Sequence, residues 1–269
     1  NHFFTSIHNS GCQAAESPLV YRDNTYTIDF DDLERKAADP AVKLMLLCNP
    51  HNPAGRVWTP AELHRIGELC LRHDVVVVAD EIHCELVMPG FRYTPFASLC
   101  EEFERRSVTC TSPSKAFNLA GLQVANIFAA DAALRARIGH SLQINETGEI
   151  GPFAIEALIA AYDEGAEWLD ALNEYLHGNY RFSREYFDRN LPQYPVLPLE
   201  GTYLVWVDCR ASGLTSDELE TKLLEEAKLR INPGAIYGEA GRDFIRLNIA
   251  CPRKLLAEGL DRLRKVLKR

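Results

Sequence analysis

The feature that most constrains this chain is an alternation, from Val42 onward, of short apolar runs rich in β-branched residues with longer amphipathic runs. Short runs of this kind are typical of buried strands, and the longer runs repeat their apolar residues at helical spacing. Because parallel strands need a crossover between them, usually a helix, this alternation predicts an α/β fold with a mostly parallel sheet.

Turn and cap signals divide the pattern into elements. We predict strands at residues 42–48, 75–79, 107–111, 123–129, 203–207 and 244–249. A capping box at Thr59–Glu62 begins a helix that ends near His73, and further helices are predicted at residues 153–162, 166–189, 216–227 and 253–267. The sequence turns helical after Glu149. We therefore predict a large domain over residues 1–163, and an interdomain helix with a smaller C-terminal α+β domain over residues 164–269.

Composition narrows the class of protein. Hydrophobic residues make up 46% and charged residues 25% of the chain, which is typical of globular proteins. The net charge of -9 disfavours a nucleic-acid or acidic-membrane binder, and every apolar run is far shorter than the ~18 residues of a membrane span. The eight cysteines form no CxxC pair, and no metal-ligand spacing is found among His2, His8, His64, His73, His140 and His177. We expect a cytoplasmic protein with small-molecule partners and no metal.

Polar residues concentrate where three of the predicted strands end. The motif NPHNPAG occupies residues 49–55, DEIH residues 80–83, and SPSKAFNLAGL residues 112–122. Open α/β sheets bind ligands at the carboxyl ends of their strands, so these motifs predict a site. Each motif alone also has a structural interpretation: a proline-stiffened turn, a helix cap, or a buried loop whose lysine reaches solvent.

Lys115 is the residue with the strongest chemical implication. It stands in a stretch, Val108 to Val124, that holds no other charged side chain, and desolvation makes a lysine amine more nucleophilic. The hydroxyls of Ser112 and Ser114 can donate hydrogen bonds to a phosphate, together with backbone N–H groups of the turn. A reactive lysine, a carboxylate and phosphate donors are what pyridoxal 5'-phosphate requires of a protein.

With these motifs in this order, the whole chain resembles the fold type I, class I/II aminotransferase superfamily of pyridoxal phosphate enzymes, and within it the cystathionine β-lyase-like carbon-sulfur lyases. The resemblance implies a PLP-dependent transferase-like large domain and a smaller C-terminal domain. It places Asn52 on the ring oxygen of the cofactor, Asp80 on the pyridine nitrogen, and Lys115 in the Schiff base. His83 stands where many aminotransferases have a tyrosine that also contacts the ring oxygen.

The resemblance also implies contacts to phosphate and substrate. It makes Ser112, with Ser114, a ligand of the cofactor phosphate. The motif FIRLNIACPR (244–253) is similar to the substrate-carboxylate motif of the family, with Arg246 as a bidentate clamp. Gln123 stands where many aminotransferases have an arginine that grips the phosphate, and the carbon-sulfur lyases share this difference.

We therefore expect a PLP-dependent carbon-sulfur β-lyase that acts on cystathionine- or cysteine-type amino acids and releases a thiol, pyruvate and ammonia. An aminotransferase stays open as an alternative, because the two reactions share their first steps. The resemblance implies a homodimer. Family members carry a further N-terminal part before the segment that resembles the start of this chain, so a truncated, non-catalytic or regulatory fragment is a third interpretation.

Overall fold

A computed structural model describes residues 2–268. Its α-helices are α1 (His2–Asn9), α2 (Phe30–Ala37), α3 (Pro60–Arg72), α4 (Glu101–Arg105), α5 (Pro113–Ala116), α6 (Ala132–Ile144), α7 (Pro152–Glu164), α8 (Ala166–Asn190), α9 (Ser216–Ala227) and α10 (Arg253–Leu267). Its strands are β1 (Val20–Arg22), β2 (Thr25–Thr27), β3 (Leu44–Cys48), β4 (Val76–Asp80), β5 (Ser107–Thr111), β6 (Asn126–Phe128), β7 (Leu204–Asp208), β8 (Asn232–Pro233) and β9 (Phe244–Asn248).

Contacts within the chain divide it into two compact units. The central unit consists of Ile28–Pro50 and Val57–Leu172. The terminal unit consists of the described residues up to Thr27, His51–Arg56, and the described residues from Asn173 on. The domain boundary predicted between residues 163 and 164 stays a prediction, and the outer ends of those two domains, residues 1 and 269, lie outside the described residues.

The central unit is built on a four-stranded sheet in the order β3-β4-β5-β6. The pairs β3-β4 and β4-β5 are parallel, and β6 joins the edge antiparallel. α3 connects β3 to β4, as a parallel pair requires. The predicted α/β fold with a mostly parallel sheet is confirmed.

The start of α3 shows how local sequence positions these elements. The side chain of Thr59 accepts a hydrogen bond from the backbone N–H of Glu62, and the Glu62 carboxylate accepts one from the backbone N–H of Thr59. This is the predicted capping box, which satisfies N–H groups that the first helical turn leaves without partners. The helix buries Leu63, Ile66, Gly67, Leu69 and Cys70.

The terminal unit holds an antiparallel sheet in the order β7-β9-β8. The hairpin β1-β2 packs on it through two tyrosines: the Tyr26 hydroxyl accepts from Nε1 of Trp206 at 3.2 Å, and the Tyr21 hydroxyl donates to Asp208 at 3.0 Å. Tyr26 and Trp206 belong to a hydrophobic core cluster whose buried residues are Tyr26, Ala54, Leu197, Trp206 and Phe244. Residues from the start of the chain therefore complete the core of a unit formed mostly by its C-terminal half.

Large apolar side chains stay exposed in residues 126–168, which we call the apolar segment. Phe128 on the edge strand β6 is 58% exposed, and Phe153 on α7 is 80% exposed. The other exposed members are Ile127, Ile144, Ile150, Ile155, Ile159, Tyr162 and Trp168. A concentration of this kind is unusual for a folded surface. Between residues 2 and 268, no helix has the length and apolar character needed to cross a membrane.

Candidate active site

The ends of the three parallel strands form a row across the central sheet. Asp80 is the last residue of β4, and its partners in register are Cys48 on β3 and Cys110 on β5. Asp80 therefore lies between two strands at the carboxyl edge, where sheets of this type bind ligands. Burial raises the pKa of the Cys110 thiol, and the charges of Asp80 and Glu81 raise it further.

The charge of Lys115 acts on Asp80 within the central unit. Burial raises the pKa of Asp80, while a hydrogen bond from the backbone N–H of Ile82, at 3.2 Å, and the charge of Lys115 lower it. Both side chains are half-buried. The structure thus brings together, within one unit, the carboxylate and the amine that were predicted from separate motifs.

Lys115 lies on α5, a single helical turn that follows β5. Ser112 begins this turn: its hydroxyl accepts from the backbone N–H of Ser114 at 3.1 Å and donates to the carbonyl oxygen of Val124 at 2.6 Å. Ser112 is 5% exposed and Ser114 is half-buried. The Ser112 hydroxyl therefore holds the turn that presents Lys115, and phosphate binding by either serine stays a prediction.

His83 is buried in the turn after β4, with 3% of its surface exposed. The turn is closed by backbone hydrogen bonds from Cys84 to Glu81 and from Leu86 to His83, each 2.9 Å long. His83 belongs to the same unit as Asp80 and Lys115. Its contact with a cofactor ring oxygen stays a prediction.

Asn52 and Arg246 meet in the terminal unit. Nη1 of Arg246 donates a hydrogen bond to Oδ1 of Asn52 at 2.9 Å. Arg246 occupies the central strand β9, opposite Trp206 on β7 and Asn232 on β8. Two predicted site residues that come from motifs at opposite ends of the sequence are therefore direct neighbours.

The surroundings of Arg246 are aromatic. Its guanidinium carbon lies 5.0 Å from the centre of the Tyr237 ring. Burial lowers the pKa of Arg246, and the nearby Tyr237 and Tyr203 raise it. The half-buried guanidinium keeps its charge in an environment that strengthens its attraction for an anion.

Comparison with known proteins identifies the family. A family model described as aminotransferase class I and II matches residues 5–263. The chain belongs to the aminotransferase class I and II family.

Curated relatives in this family include two bacterial proteins. The chain is 43% identical over 265 residues to cystathionine beta-lyase PatB of Bacillus subtilis (strain 168), covering 98% of this chain and 68% of PatB. It is 37% identical over 265 residues to protein MalY of Escherichia coli (strain K12), covering 96% of this chain and 66% of MalY. The chain thus spans about two thirds of the length of these relatives.

A solved structure supports the same family fold. Cystalysin from Treponema denticola, whose crystal structure contains a pyridoxal 5'-phosphate cofactor, superposes with a TM-score of 0.96 at 36% identity. The match covers 99% of this chain and 68% of that chain. The predicted PLP-dependent transferase-like fold is confirmed.

The groups present fit the cofactor of an aminotransferase class I and II protein. Lys115 carries an amine of the kind that the cofactor aldehyde requires, and Asp80 a carboxylate of the kind that the ring nitrogen requires; their contacts with the cofactor stay predictions. Asn52 uses its oxygen to accept from Arg246, and its amide nitrogen is a donor suited to a ring oxygen. Burial raises the pKa of Asp80 because it disfavours the ionised carboxylate. A cationic partner, such as a protonated ring nitrogen, would offset that cost.

Sequence reasoning gave no role to Glu81, which follows Asp80 directly, or to Tyr93, which is hydrogen-bonded to Glu81. Glu81 was visible only as the second letter of DEIH, yet it is 1% exposed and hydrogen-bonded to Tyr93 and to the backbone of Phe96. A second acid directly after a strand-end acid is the signal that could have identified it. For Tyr93 the sequence holds no such signal, because the contact depends on a loop.

Proposed function

We propose that this chain carries the catalytic groups of a PLP-dependent carbon-sulfur β-lyase that acts on cystathionine- or cysteine-type amino acids. The products are a thiol, pyruvate and ammonia. Pyridoxal phosphate, when bound, supplies an electron sink for the electron pair left when a proton leaves Cα of the amino acid.

Lys115 would hold the cofactor covalently at Nζ and, once the substrate amine had replaced it, would take the proton from Cα as a general base. The sulfur leaves from Cβ with the electrons of the C–S bond and gains a proton to become the thiol. Nζ of Lys115 would then take the cofactor back from the substrate nitrogen, which frees the three-carbon enamine, and the enamine takes up water to give pyruvate and ammonia. Asp80 would present its negative charge to the ring nitrogen of the cofactor and so favour a proton on that nitrogen.

Arg246 binds the substrate carboxylate through two parallel N–H groups, which fixes the orientation of the Cα–H bond. Asn52 accepts from the same guanidinium at 2.9 Å and orients it. The bond also ties a predicted cofactor contact to the predicted substrate clamp. Holding the carboxylate restricts the orientations open to the reacting carbon, which lowers the entropic part of the activation barrier.

The observation that carries this proposal is that Asp80, the last residue of β4, lies close enough to Lys115, on the turn after β5, for the charge of the lysine to lower the pKa of the carboxylate. The 43% identity to a cystathionine beta-lyase over 98% of this chain supports the lyase reaction over others of the family. Transamination, the alternative, uses the same two residues through removal of the Cα proton.

The test is an assay of the purified chain with pyridoxal phosphate and cystathionine. We expect a visible absorption band that borohydride reduces to a covalent adduct, and release of pyruvate and thiol in equal amounts. Lys115→Ala should lose both the adduct and the products, whereas Lys43→Ala, a change at an exposed lysine, should keep them.

The outcomes separate the three interpretations. Glutamate formed from 2-oxoglutarate without pyruvate would replace the lyase by an aminotransferase. A chain that folds but takes up no cofactor would favour a non-catalytic or regulatory fragment. An adduct that persists in Lys115→Ala would contradict the assignment of the lysine.

We further propose that the protein works in the cytoplasm and as a homodimer. All eight cysteines are free thiols, which supports a reducing compartment. The exposed residues of the apolar segment support burial against another protein surface. Sedimentation at several concentrations tests the dimer, and a single species at 30.3 kDa would contradict it.

A further inference from the structure

A second carboxylate lies directly behind the first. Glu81 follows Asp80 in the chain and is 1% exposed. Its carboxylate accepts a hydrogen bond from the backbone N–H of Phe96 at 2.9 Å and another from the hydroxyl of Tyr93. Both donors are neutral groups, so neither of these two contacts supplies a positive charge to offset the burial of the Glu81 carboxylate.

Consecutive residues at the end of a strand point to opposite faces of the sheet. The Asp80 carboxylate accepts from the backbone N–H of Ile82 and lies within range of the charge of Lys115, whereas the Glu81 carboxylate contacts the loop at residues 93–96. The backbone between them is fixed on both sides, because the N–H of Glu81 donates to Cys110 and the N–H of Asn49 donates to Asp80. Anchoring Glu81 therefore sets the direction in which the Asp80 side chain leaves the strand.

The loop that receives Glu81 is itself held by the neighbouring strand end. Asn49 is fully buried, and its amide nitrogen donates to the carbonyl oxygen of Thr94 at 3.0 Å. Its amide oxygen accepts from the backbone N–H of Trp58 at 3.3 Å. The residues that follow β3 and β4 are therefore both hydrogen-bonded to one loop, Asn49 at position 94 and Glu81 at position 96.

The electrostatic directions agree with this geometry. Burial raises the pKa of Glu81, the hydrogen bonds from Phe96 and Tyr93 lower it, and the charge of Asp80 raises it. Burial, followed by the charge of Glu81, raises the pKa of Tyr93, so the phenol keeps its proton and acts as the donor.

Resting on the proposed function, we propose that Glu81 and Tyr93 are positioning residues for Asp80. Their hydrogen bond locks the turn after β4 so that the Asp80 carboxylate faces the Lys115 side of the sheet. Neither residue touches substrate or cofactor in this role. The specific consequence is that weakening the Tyr93–Glu81 bond should loosen Asp80 before it loosens the rest of the strand.

Two variants and a matched control test this. Tyr93→Phe removes one hydroxyl at constant shape, and Glu81→Gln removes the charge while keeping the length of the side chain. The control is Tyr186→Phe, which deletes a comparable tyrosine-carboxylate bond, 2.6 Å to Asp261, on the exposed side of α8. Should Glu81→Gln fail to fold, Tyr93→Phe alone decides the result.

The first measurement uses the cofactor-free chain. The N–H of Ile82 donates to Oδ1 of Asp80, so its hydrogen exchange, followed by NMR, reports the position of that carboxylate. We expect exchange at Ile82 to become about fivefold faster or more in both variants, with Val78 in the middle of β4 unchanged. Equal acceleration at Ile82 and Val78, or none at Ile82, would overturn the positioning role and leave a purely structural one.

The second measurement uses the cofactor-loaded chain. We expect kcat per bound cofactor to fall about tenfold with KM within twofold, and the visible spectrum of the cofactor to change, because Asp80 governs the proton on its ring nitrogen. Tyr186→Phe should match the wild type. An unchanged spectrum and kcat in Tyr93→Phe would contradict the proposal.

The two measurements distinguish failure of the inference from failure of the proposed function. If the wild-type chain binds no cofactor or releases no thiol, the proposed function fails, yet exchange at Ile82 still decides whether Glu81 and Tyr93 position Asp80. If the wild type is an active lyase and Ile82 does not respond, the inference alone fails.

Discussion

Oδ1 of Asn52 accepts a hydrogen bond from Nη1 of Arg246 at 2.9 Å, although the two residues are 194 positions apart in the chain. In the proposed reaction one of them contacts the cofactor and the other the substrate carboxylate. The effects of substitutions at Asn52 and Arg246 should therefore not be additive, because the amide and the guanidinium share one hydrogen bond.

Arg246→Lys should raise KM for the amino acid by about 10-fold or more, because an ammonium group cannot make two parallel hydrogen bonds to a carboxylate. We expect kcat to fall less. Arg242→Lys is the matched control, since Arg242 makes an exposed pair with Glu239 at 2.8 Å. Steady-state kinetics with cystathionine measures both, and an unchanged KM in Arg246→Lys would refute the clamp.

Asp80→Asn should stabilise the cofactor-free chain at neutral pH. Burial raises the pKa of Asp80, so the folded chain holds that proton more tightly than the unfolded chain. Ionised Asp80 thus lowers the free energy of unfolding above its folded pKa, and this cost vanishes below about pH 4, where both states are protonated. We expect a higher Tm than wild type at pH 7 and an equal Tm at pH 3.

The same variant should lose turnover by about 100-fold or more, since a neutral amide does not hold the ring-nitrogen proton. Asp163→Asn, at an exposed position of α7, should change neither quantity. Thermal melts between pH 3 and pH 8, followed by pyruvate release at pH 7, make the comparison. A variant that is both less stable and fully active would contradict the assignment of Asp80.

His51 should make the chain sensitive to mild acid. Burial, and then the charge of Arg56, lowers the pKa of His51 to about 4. The unfolded chain takes up this proton near pH 6.5, so stability falls as the pH drops from there toward the folded pKa, by on the order of 2 kcal/mol. His51→Asn should reduce that loss, and His140→Asn, at an exposed position, should not.

Urea unfolding at pH 7 and pH 4.5 gives the loss of stability on acidification for wild type and for His51→Asn. Comparing the two losses isolates His51, because carboxylates elsewhere titrate alike in both chains. Identical pH dependence in wild type and His51→Asn would show that His51 is protonated without cost.

Gly67 and Gly139 form a natural pair for testing the core. A Cβ on Gly67 would clash with the ring of Phe103, whereas one on Gly139 meets nothing within 4 Å. Both glycines are inside helices, α3 and α6. Gly67→Ala should cost about 1–3 kcal/mol of stability, and Gly139→Ala should gain about 0.5–1 kcal/mol.

Urea unfolding of the two variants checks the sign as well as the size. A stabilising Gly67→Ala would mean that Phe103 moves aside at little cost.

Much of the fold follows from local sequence. Helical spacing of apolar residues and short apolar runs predicted α9, α10 and β5 at their observed bounds, because such patterns depend only on nearby residues. α2 and α6 were missed, although Asp29 and Asp131 cap them and could have been recognised as N-cap residues. Element ends elsewhere differ by a few residues, as fraying ends do.

The contacts that long loops create could not be predicted. The hairpin β1-β2 joins the terminal unit through Tyr26 and Trp206, 180 positions apart, and no local pattern encodes that pairing. The motifs predicted which residues carry chemistry. They did not predict that Ser112 donates to Val124, or that Glu81 is held by Tyr93, because both depend on how separate loops come together.

The apolar segment has a consequence for how the protein behaves in solution. Phe128 and Phe153 present apolar surface in the folded state, and exposed surface of this kind favours association between protein molecules. We therefore expect the purified chain to associate more strongly as its concentration rises, and a mild detergent to reduce that association.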